Sequence, residues 1–298
     1  IKIIIPKILN KLISKLISPL EIKWSVAYAN HNNFSKSLWK YKEIKNPENR
    51  FLADPFVFEN NANNYIFVED FCYKDQKGRI SAIKINDNGY EFLGIVLEED
   101  FHLSFPFIFK DRDEIYMIPE SNENKDVRLY KCLDFPYRWV LDSVLLTDIS
   151  AADTMVIKKN NVWYMLTNIC SAGINDHKSE LHIFYANELK TNFWQPLATG
   201  NPVIFNSLKA RNGGIFNHKG KIYRVNQVHK QSHYGKCFNI NEVVMLSESG
   251  YLEKELCTIN PKFKDDIIST HHFSANETIA SIDFAKTERR RKVFKTKN

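Results

Sequence analysis

Short apolar segments recur along this chain, and five of them begin in the same way. In each, an apolar strand opens with one unusual polar or bulky residue, and a second strand rich in aromatic residues follows about a dozen residues later. The third residues of the five opening segments are Asp54, Phe105, Asp153, Asn212 and His272. They follow one another at roughly 50 to 60 residues, and a strand-rich repeat of this length is typical of β-propeller blades. The pattern therefore predicts an all-β fold, a five-bladed β-propeller.

Each predicted blade reads as a meander of antiparallel strands. In the first blade, alternating or fully apolar runs cover residues 65–70, 80–85 and 92–97, and the breaks between them carry Asn, Gly or Asp. The fifth blade opens at the His271-His272 pair. We expect the early segment 24–28 to supply its closing strand, because joining both termini in one blade keeps the ring from opening.

The bulk composition changes this picture little. A chain of 298 residues could form two small domains or one large all-β domain, and the repeat favours one. No run approaches the roughly 20 apolar residues of a membrane-spanning helix. The five cysteines are odd in number and lack paired metal-ligand spacing, which argues against a disulfide framework or a structural zinc site and favours a reducing, cytoplasmic setting.

The net charge of +6 is concentrated at the two ends of the chain. We expect residues 1–21 to form a basic amphipathic helix that Pro19 stops, residues 22–286 to form the propeller, and residues 287–298 to form a basic tail. The helix lacks the long apolar core and the cleavage site of a secretory signal. It could pack on the propeller or a partner domain, or lie on an anionic membrane surface as a peripheral contact. Nucleic acid is not expected as a partner, because no recognition helix accompanies the basic tail.

The first strand of every propeller blade lines the central channel, so the five opening segments are expected to converge on one funnel. Blades one to three bring carboxylates to it, namely Asp54, Glu69, Glu120 and Asp153. Carboxylates that share a cavity push each other's pKa apart, which is how identical groups become an acid and a base. The alternatives are that Asp54 only caps a turn before Pro55, and that Glu69 and Glu120 point to solvent.

Blades four and five bring the opposite charge. Arg211 and Arg224 could bind a phosphate or a carboxylate through the planar fork of guanidinium donors. His271 and His272 could bind a metal, shuttle protons or satisfy a polar contact in the core. Residues of the same opening segments and of a following loop complete the candidate substrate-binding set: His102, Ser104, Asn212, Gln227 and Tyr234.

Five short motifs carry a resemblance to a known family, and they lie at residues 53–56, 102–106, 116–121, 211–214 and 222–224. Together they resemble the propeller domain at the N-terminus of plant glucosamine inositolphosphorylceramide transferases, a domain that is also fused to formyltransferase-like enzymes in bacterial surface-glycan loci. The resemblance spans residues 22–285. That domain is similar in turn to the five-bladed fold of furanose-active glycoside hydrolases, including arabinanases, xylosidases and invertases.

The resemblance implies roles for the opening residues. In those hydrolases an Asp of blade one is the general base or nucleophile, an Asp of blade two tunes pKa values, and a Glu of blade three is the acid. Asp54 matches the first role, whereas Phe105 and Asp153 break the pattern, and Glu120 could reach in from a neighbouring strand. Many of the hydrolases hold calcium near a blade-five histidine. His272 would match it, so a divalent cation in the channel is the one cofactor that the resemblance implies.

The leading hypothesis is a glycosyl transferase of bacterial surface polysaccharide or glycolipid biosynthesis that acts on a phosphate-activated sugar. Asp54 would be the base while Arg211 and Arg224 bind the phosphate, because a phosphate leaving group needs only one base and stabilising cations. A glycoside hydrolase is less favoured, since it needs two carboxyls placed as acid and base. The alternatives from other classes are a non-catalytic glycan-binding module that serves a partner enzyme, and a scaffold that binds proteins on its rim.

Overall fold

A computed structural model describes residues 20–30, 38–171, 176–230 and 233–289, and within these residues the chain forms five antiparallel sheets. Two strands of the last blade come first in the chain: β1 (Leu20–Ala29) and β2 (Lys42–Ile44). Blade one contains β3 (Arg50–Asn60), β4 (Asn63–Cys72), β5 (Lys77–Asn86) and β6 (Gly89–Leu97). Blade two contains β7 (Ser104–Asp111), β8 (Glu114–Ser121), β9 (Asp126–Asp134) and β10 (Arg138–Thr147).

The remaining strands complete the ring. Blade three contains β11 (Ala151–Lys159), β12 (Val162–Ile169), β13 (Glu180–Ala186), β14 (Gln195–Pro196) and β15 (Ile204–Phe205). Blade four contains β16 (Asn212–His218), β17 (Lys221–Lys230), β18 (His233–Ser247) and β19 (Gly250–Ile259). Blade five is completed by β20 (Ile267–Ser269), β21 (Phe273–Ala275) and β22 (Ala280–Arg289). Short 3-10 helices cover Leu38–Lys40 and Asn122–Asn124. The predicted all-β, five-bladed propeller is confirmed.

The two ends of the propeller meet in blade five. Strand β1 pairs antiparallel with β22, from Leu20 opposite Arg289 to Ala29 opposite Ala280, and β2 adds at the edge of the same sheet. The prediction that an early strand closes this blade is confirmed. Because the first and last described strands hydrogen-bond along ten residue pairs, the ring is held shut by backbone pairing.

Most of the predicted N-terminal helix (residues 1–21) and of the predicted basic tail (residues 287–298) lies outside the described part of the chain. Residues 287–289, which we expected in the tail, belong to β22. Residues 20–21, which we expected at the end of that helix, belong instead to β1. Among the described residues, no helix has both the length and the apolar character needed to cross a membrane.

The opening residues lie where the first strand of a blade bends. Asp54, Phe105 and Asp153 have positive φ angles of 49°, 45° and 50°, and at each of them the pairing with the second strand shifts register. In blade four the register shift begins at Asn212 and includes Gly214, whose φ is 124°. A bulge of this kind bends a strand and redirects a side chain. The sequence repeat therefore marks a backbone feature that recurs around the axis.

These bulges leave backbone N–H groups outside the sheet pairing, and side chains of the preceding blade accept them. The four hydrogen bonds run from Asp54 N–H to Asp283 (3.2 Å), from Phe105 N–H to Asp54 (3.3 Å), from Asp153 N–H to Glu120 (3.3 Å) and from Asn212 N–H to Asn168 (2.8 Å). Buried N–H groups need such partners, since an unmade hydrogen bond is costly away from water. The acceptors thus link each blade to the next around the channel.

Apolar side chains fill the space between blades. The cluster that runs through blades one to three includes Phe67, Met117 and Phe105, all fully buried. Burying a side chain of this size contributes roughly 1.5–3 kcal/mol. The Phe105 ring also contacts Phe56 and His272, with ring centroids 4.9 and 5.1 Å apart. These three rings pack together next to Asp54, since Nδ1 of His272 lies 3.7 Å from the Asp54 carboxylate.

Candidate functional site

Asp54 is at the centre of the candidate site, and its side chain is 11% exposed. One carboxylate oxygen lies 3.7 Å from Nδ1 of His272 and 4.0 Å from Nδ1 of His271, while the other accepts the Phe105 N–H. Burial raises the pKa of Asp54 well above its ordinary value. The charge of His271 opposes this rise only in part, and the carboxylate of Glu69 adds to it. The site therefore favours the protonated form of Asp54 more than water does.

His271 and Asp283 form a buried ion pair behind Asp54. Nδ1 of His271 lies 2.6 Å from Asp283 Oδ2, and Asp283 Oδ1 accepts the N–H groups of His271 and His272 at 3.0 and 2.9 Å. Burial alone would lower the pKa of His271, but the neighbouring Asp283 outweighs it and raises that pKa to about 9. Burial likewise works to raise the pKa of Asp283, and the charge of His271 reverses this and lowers it. Trp24 stacks on the His271 ring at 4.1 Å.

Asp283 and Trp24 are parts of this arrangement that the sequence reasoning missed. Asp283 is fully buried between Ile282 and Phe284, both of them core residues. The sequence does show a single acidic residue inside an apolar strand. This pattern could have identified Asp283 as a site residue, because a buried charge needs a partner. Nothing in the sequence marks the stacking partner of His271.

A second cluster of charged and polar side chains surrounds Asp153 in blade three. Arg211 donates from Nε to Asp153 Oδ2 at 2.5 Å and from Nη2 to Oδ1 at 3.2 Å, and Gln227 donates to Asp153 Oδ2 at 3.1 Å. Nη2 of Arg211 also lies 3.6 Å from Glu120. Burial raises the pKa of Glu120 well above its ordinary value, the charge of Asp153 adds to the rise, and Arg211 opposes it. The charge of Asp54 also contributes, so the two clusters interact electrostatically.

Glu69 and His102 meet between blades one and two. Nε2 of His102 lies 3.4 Å from Glu69 Oε1, and the Gly78 N–H donates to His102 Nδ1 at 3.0 Å. Because Nδ1 accepts this bond, the neutral ring carries its proton on Nε2, facing Glu69. Ser104, at the start of β7, pairs with Glu120 across the sheet and is buried. The structure thus places Glu69, His102 and Ser104 beside the two clusters.

Three of the predicted site residues are buried within the fold, where their contacts stabilise the structure. Arg224 is fully buried and donates to both carboxylate oxygens of Glu253, at 2.7 and 2.8 Å. Asn212 is also fully buried and donates to the backbone oxygens of blade three. His272 is buried against Phe56, and burial lowers its pKa to about 3, so its ring is neutral. The side chain of Tyr234 lies outside the described part of the chain.

The residues around His271 do not fit the calcium site that the resemblance implies. Ligand atoms of Asp54, His271 and Asp283 lie within 4.8 Å of one another. However, Asp283 already accepts three hydrogen bonds from backbone N–H groups, and its Oδ2 also lies 2.6 Å from Nδ1 of His271. Calcium takes six or more oxygen ligands with free lone pairs. We therefore assign this cluster to positioning Asp54.

Comparison with known proteins finds relatives among plant transferases. The sequence profile of a family described as glucosamine inositolphosphorylceramide transferase 1, N-terminal, matches residues 36–271. The glucosamine inositolphosphorylceramide transferase 1 of Arabidopsis thaliana is 35% identical over 249 residues, which cover 78% of this chain and 32% of that protein. The protein of the same name from Oryza sativa subsp. japonica is 31% identical over 253 residues, covering 79% of this chain and 33% of that protein. The chain thus spans about a third of the length of these curated relatives.

Solved structures of glycoside hydrolases share the fold. The catalytic domain of the GH62 α-L-arabinofuranosidase of Coprinopsis cinerea superposes with a TM-score of 0.59 at 11% identity, covering 89% of this chain and 97% of that chain. The exo-β-1,3-galactanase of Phanerochaete chrysosporium superposes with a TM-score of 0.56 at 13% identity, covering 74% of this chain and 55% of that chain. At these identities the likeness shows the fold alone.

Proposed function

Because this chain belongs to the family of the N-terminal region of glucosamine inositolphosphorylceramide transferase 1, we propose that it is a carbohydrate-active domain that transfers a glycosyl group at the entrance of its channel. The membership confirms the resemblance indicated by the sequence motifs, and the relatives are named as transferases. The observation that carries the proposal is an arrangement of carboxyl groups: Asp54 and Glu120 each accept the backbone N–H of the next blade's opening residue, and Glu120 lies beside an Asp153 that Arg211 holds.

The surroundings of the two carboxyl groups give them different roles. Asp54 is the general base, because burial moves its pKa up from the acidic range and makes its carboxylate a better proton acceptor. Glu120 keeps its proton to higher pH, since burial and the charge of Asp153 both disfavour its ionised form. We assign Glu120 as the acid of the pair and Asp54 as its base.

The proposed step moves one glycosyl group. The hydroxyl of the acceptor gives its proton to Asp54, while its oxygen forms a bond to the anomeric carbon of the donor sugar. The bond from that carbon to the leaving oxygen breaks, and Glu120 gives its proton to this oxygen. With a phosphate as leaving group the acid contributes less, because phosphate departs readily as an anion. Water in place of the acceptor would give hydrolysis.

Arg211 and Arg224, which the sequence suggested as phosphate-binding residues, have other roles in this proposal. Arg224 neutralises the buried Glu253 and reaches no exposed surface, so its role is structural. Arg211 keeps 12% of its side chain exposed and spans Asp153 and Glu120. We assign it to holding these two carboxyl groups in place, since its charge is balanced by theirs.

A panel of nucleotide sugars and nitrophenyl glycosides, each offered with methyl glycoside acceptors, tests the proposal by mass spectrometry of the products. We expect the wild-type protein to transfer sugar from at least one donor. Asp54→Asn should lower the rate by about a hundredfold or more, whereas Asp87→Asn, which changes an exposed carboxylate in a turn, should leave it unchanged. An Asp54→Asn protein that retains turnover would remove Asp54 from the mechanism.

A glycan-binding module that serves a partner enzyme is the second candidate. Phe105 stands where the resemblance to furanose-active hydrolases implies a carboxylate, and the match covers only 33% of the Oryza sativa protein, so other parts of such proteins could hold the reaction centre. A wild-type protein that binds sugars on a glycan array but transfers none would favour this function. For either candidate we propose a role in glycolipid or surface-polysaccharide biosynthesis.

A further inference from the structure

An aromatic stripe leads away from the channel entrance along one face of blade one. Phe71 lies two residues after Glu69 in β4, and alternate residues of a strand lie on the same face. Phe51 of β3 lies opposite Phe71, and the two rings stack with centroids 4.8 Å apart. The Tyr73 ring lies 5.8 Å from Phe51 and 6.0 Å from Phe71. Phe51, Phe71 and Tyr73 together are called the aromatic wall below.

The inner end of the aromatic wall is polar. The His102 ring lies 5.9 Å from Phe71, and its Nε2 faces Glu69 at 3.4 Å. Glu69 lies opposite Ala53, the residue before Asp54, in the pairing of β3 with β4, so the wall leads to the proposed base. A stacked aromatic surface and a carboxylate with an imidazole N–H are therefore contiguous.

Gly78 makes this contact between blades feasible. It lies opposite Phe71 in β5, and a Cβ atom at this position would come within 2.8 Å of His102 Cε1. Its N–H also donates to His102 Nδ1 at 3.0 Å. The missing side chain gives the His102 ring its space, and the backbone of Gly78 fixes its orientation.

The outer end of the aromatic wall reaches the surface. Tyr73 is 39% exposed, and Phe51 and Phe71 are half-buried. Exposed aromatic rings beside fixed polar groups are typical of ligand sites, where the rings provide contact area and the polar groups set orientation.

We propose that the aromatic wall and the Glu69–His102 pair bind a second sugar ring, next to the sugar that reacts at Asp54. A sugar has an apolar face of C–H groups, which stacks on an aromatic ring, and a rim of hydroxyls, which donate to Glu69 and accept from His102. A hydrocarbon chain would satisfy the rings but would cover Glu69 without giving it a hydrogen bond, which is unfavourable. The subsite rests on the proposed function and assigns it an oligosaccharide ligand rather than a single sugar.

A printed array of mono-, di- and trisaccharides, followed by calorimetric titration of the strongest disaccharide and of its constituent monosaccharides, tests the subsite. We expect the wild-type protein to bind the disaccharide about tenfold more tightly than either monosaccharide. Phe71→Ala and Tyr73→Ala should each remove most of this advantage and leave the affinity for the monosaccharide at Asp54 unchanged. Tyr73→Phe keeps the ring and should keep the advantage.

The controls separate the subsite from the proposed function. Phe193→Ala, which removes a ring that is 78% exposed on blade three, should change neither affinity. If Tyr73→Ala and Phe71→Ala are folded by thermal unfolding and bind the disaccharide like the wild type, the subsite is wrong while the proposed function stands. If the wild-type protein binds no sugar on the array, the proposed function fails, and the subsite with it.

Discussion

Nδ1 of His271 lies 2.6 Å from a carboxylate oxygen of Asp283 that also accepts the backbone N–H of Asp54 at 3.2 Å. All three residues are buried, and the contact joins blade five, where the chain termini meet, to the opening strand of blade one. Asp54 holds an uncommon positive φ angle of 49° at this point. The ion pair therefore positions the residue that we propose as the base.

Replacing Asp283 tests this positioning role. Asp283→Asn removes the negative charge that faces His271, and breaking a buried ion pair costs on the order of 3 kcal/mol in the free energy of unfolding. Without the carboxylate, burial should lower the pKa of His271 from about 9 toward acidic values. Chemical denaturation and an NMR titration of the His271 ring measure the two effects. An unchanged His271 pKa in a folded variant would contradict the assigned pairing.

The same pair predicts how stability depends on pH. The pKa of His271 is about 9 in the folded protein and close to 6.5 in the unfolded chain. Its charge therefore stabilises the fold fully below pH 6.5, and this contribution is lost as the pH rises through about 9. We expect wild type to lose about 3 kcal/mol more stability than His271→Gln between pH 6 and pH 10. If the free energies of unfolding of the two proteins changed with pH in the same way, His271 would have an ordinary pKa and the prediction would be wrong.

Asp54 and Glu120 act in the same direction at lower pH. A carboxyl group whose pKa is raised in the folded state binds more protons folded than unfolded, so stability falls as the pH rises above about 4. Asp54→Asn and Glu120→Gln should each flatten this fall, because an amide does not titrate. Urea denaturation between pH 4 and pH 7 gives the slopes. A steeper decline in either variant would mean that its carboxyl group is better stabilised as an anion in the fold than we infer.

Arg211 is expected to set the alkaline limit of activity. Its guanidinium opposes the rise in the pKa of Glu120, so Arg211→Gln should raise that pKa further and move the alkaline limb of the pH–rate profile to higher pH. The measurement is the transfer rate as a function of pH with the donor identified by the panel. An alkaline limb that moves to lower pH would exclude Glu120 as the acid.

Arg224 provides the contrast, since its pairing with Glu253 is structural. Arg224→Met should destabilise the protein by about 3–5 kcal/mol, because it removes the only cation bonded to Glu253 among the described residues and leaves that carboxylate with the Tyr251 hydroxyl as its remaining donor. Adding Glu253→Gln to this variant should recover part of the loss, and denaturation of the two single variants and the double variant measures the coupling. Additive losses would contradict the pairing.

Much of the fold could be predicted because it depends on local periodicity. Alternating apolar positions and turn residues mark each strand, and the five opening segments mark each blade. The closing of blade five by the early strand followed from the need to join the termini. The bulges at Asp54, Phe105 and Asp153 could not be predicted, although they explain the repeat, because an Asp or Phe codes for no left-handed conformation by itself.

The candidate site was predicted less completely for the same physical reason. The positions of Asp54, Asp153 and Arg211 in the repeat predicted that they lie at the channel. Which charged groups pair with each other, however, depends on contacts between blades. Arg224, in an alternating strand, looks like Arg211 in the sequence, yet it faces Glu253 from blade four itself. Asp283 was missed because its partners, including the N–H of Asp54, lie far away in the chain.

A crystal structure of Asp54→Asn with a bound oligosaccharide would test the central claim most directly. The account predicts one sugar at the channel entrance, with its anomeric carbon between position 54 and Glu120, and a second sugar stacked on the aromatic wall. An oligosaccharide bound elsewhere on the propeller, with the channel entrance filled only by water, would contradict the proposal that Asp54 and Glu120 carry out glycosyl transfer.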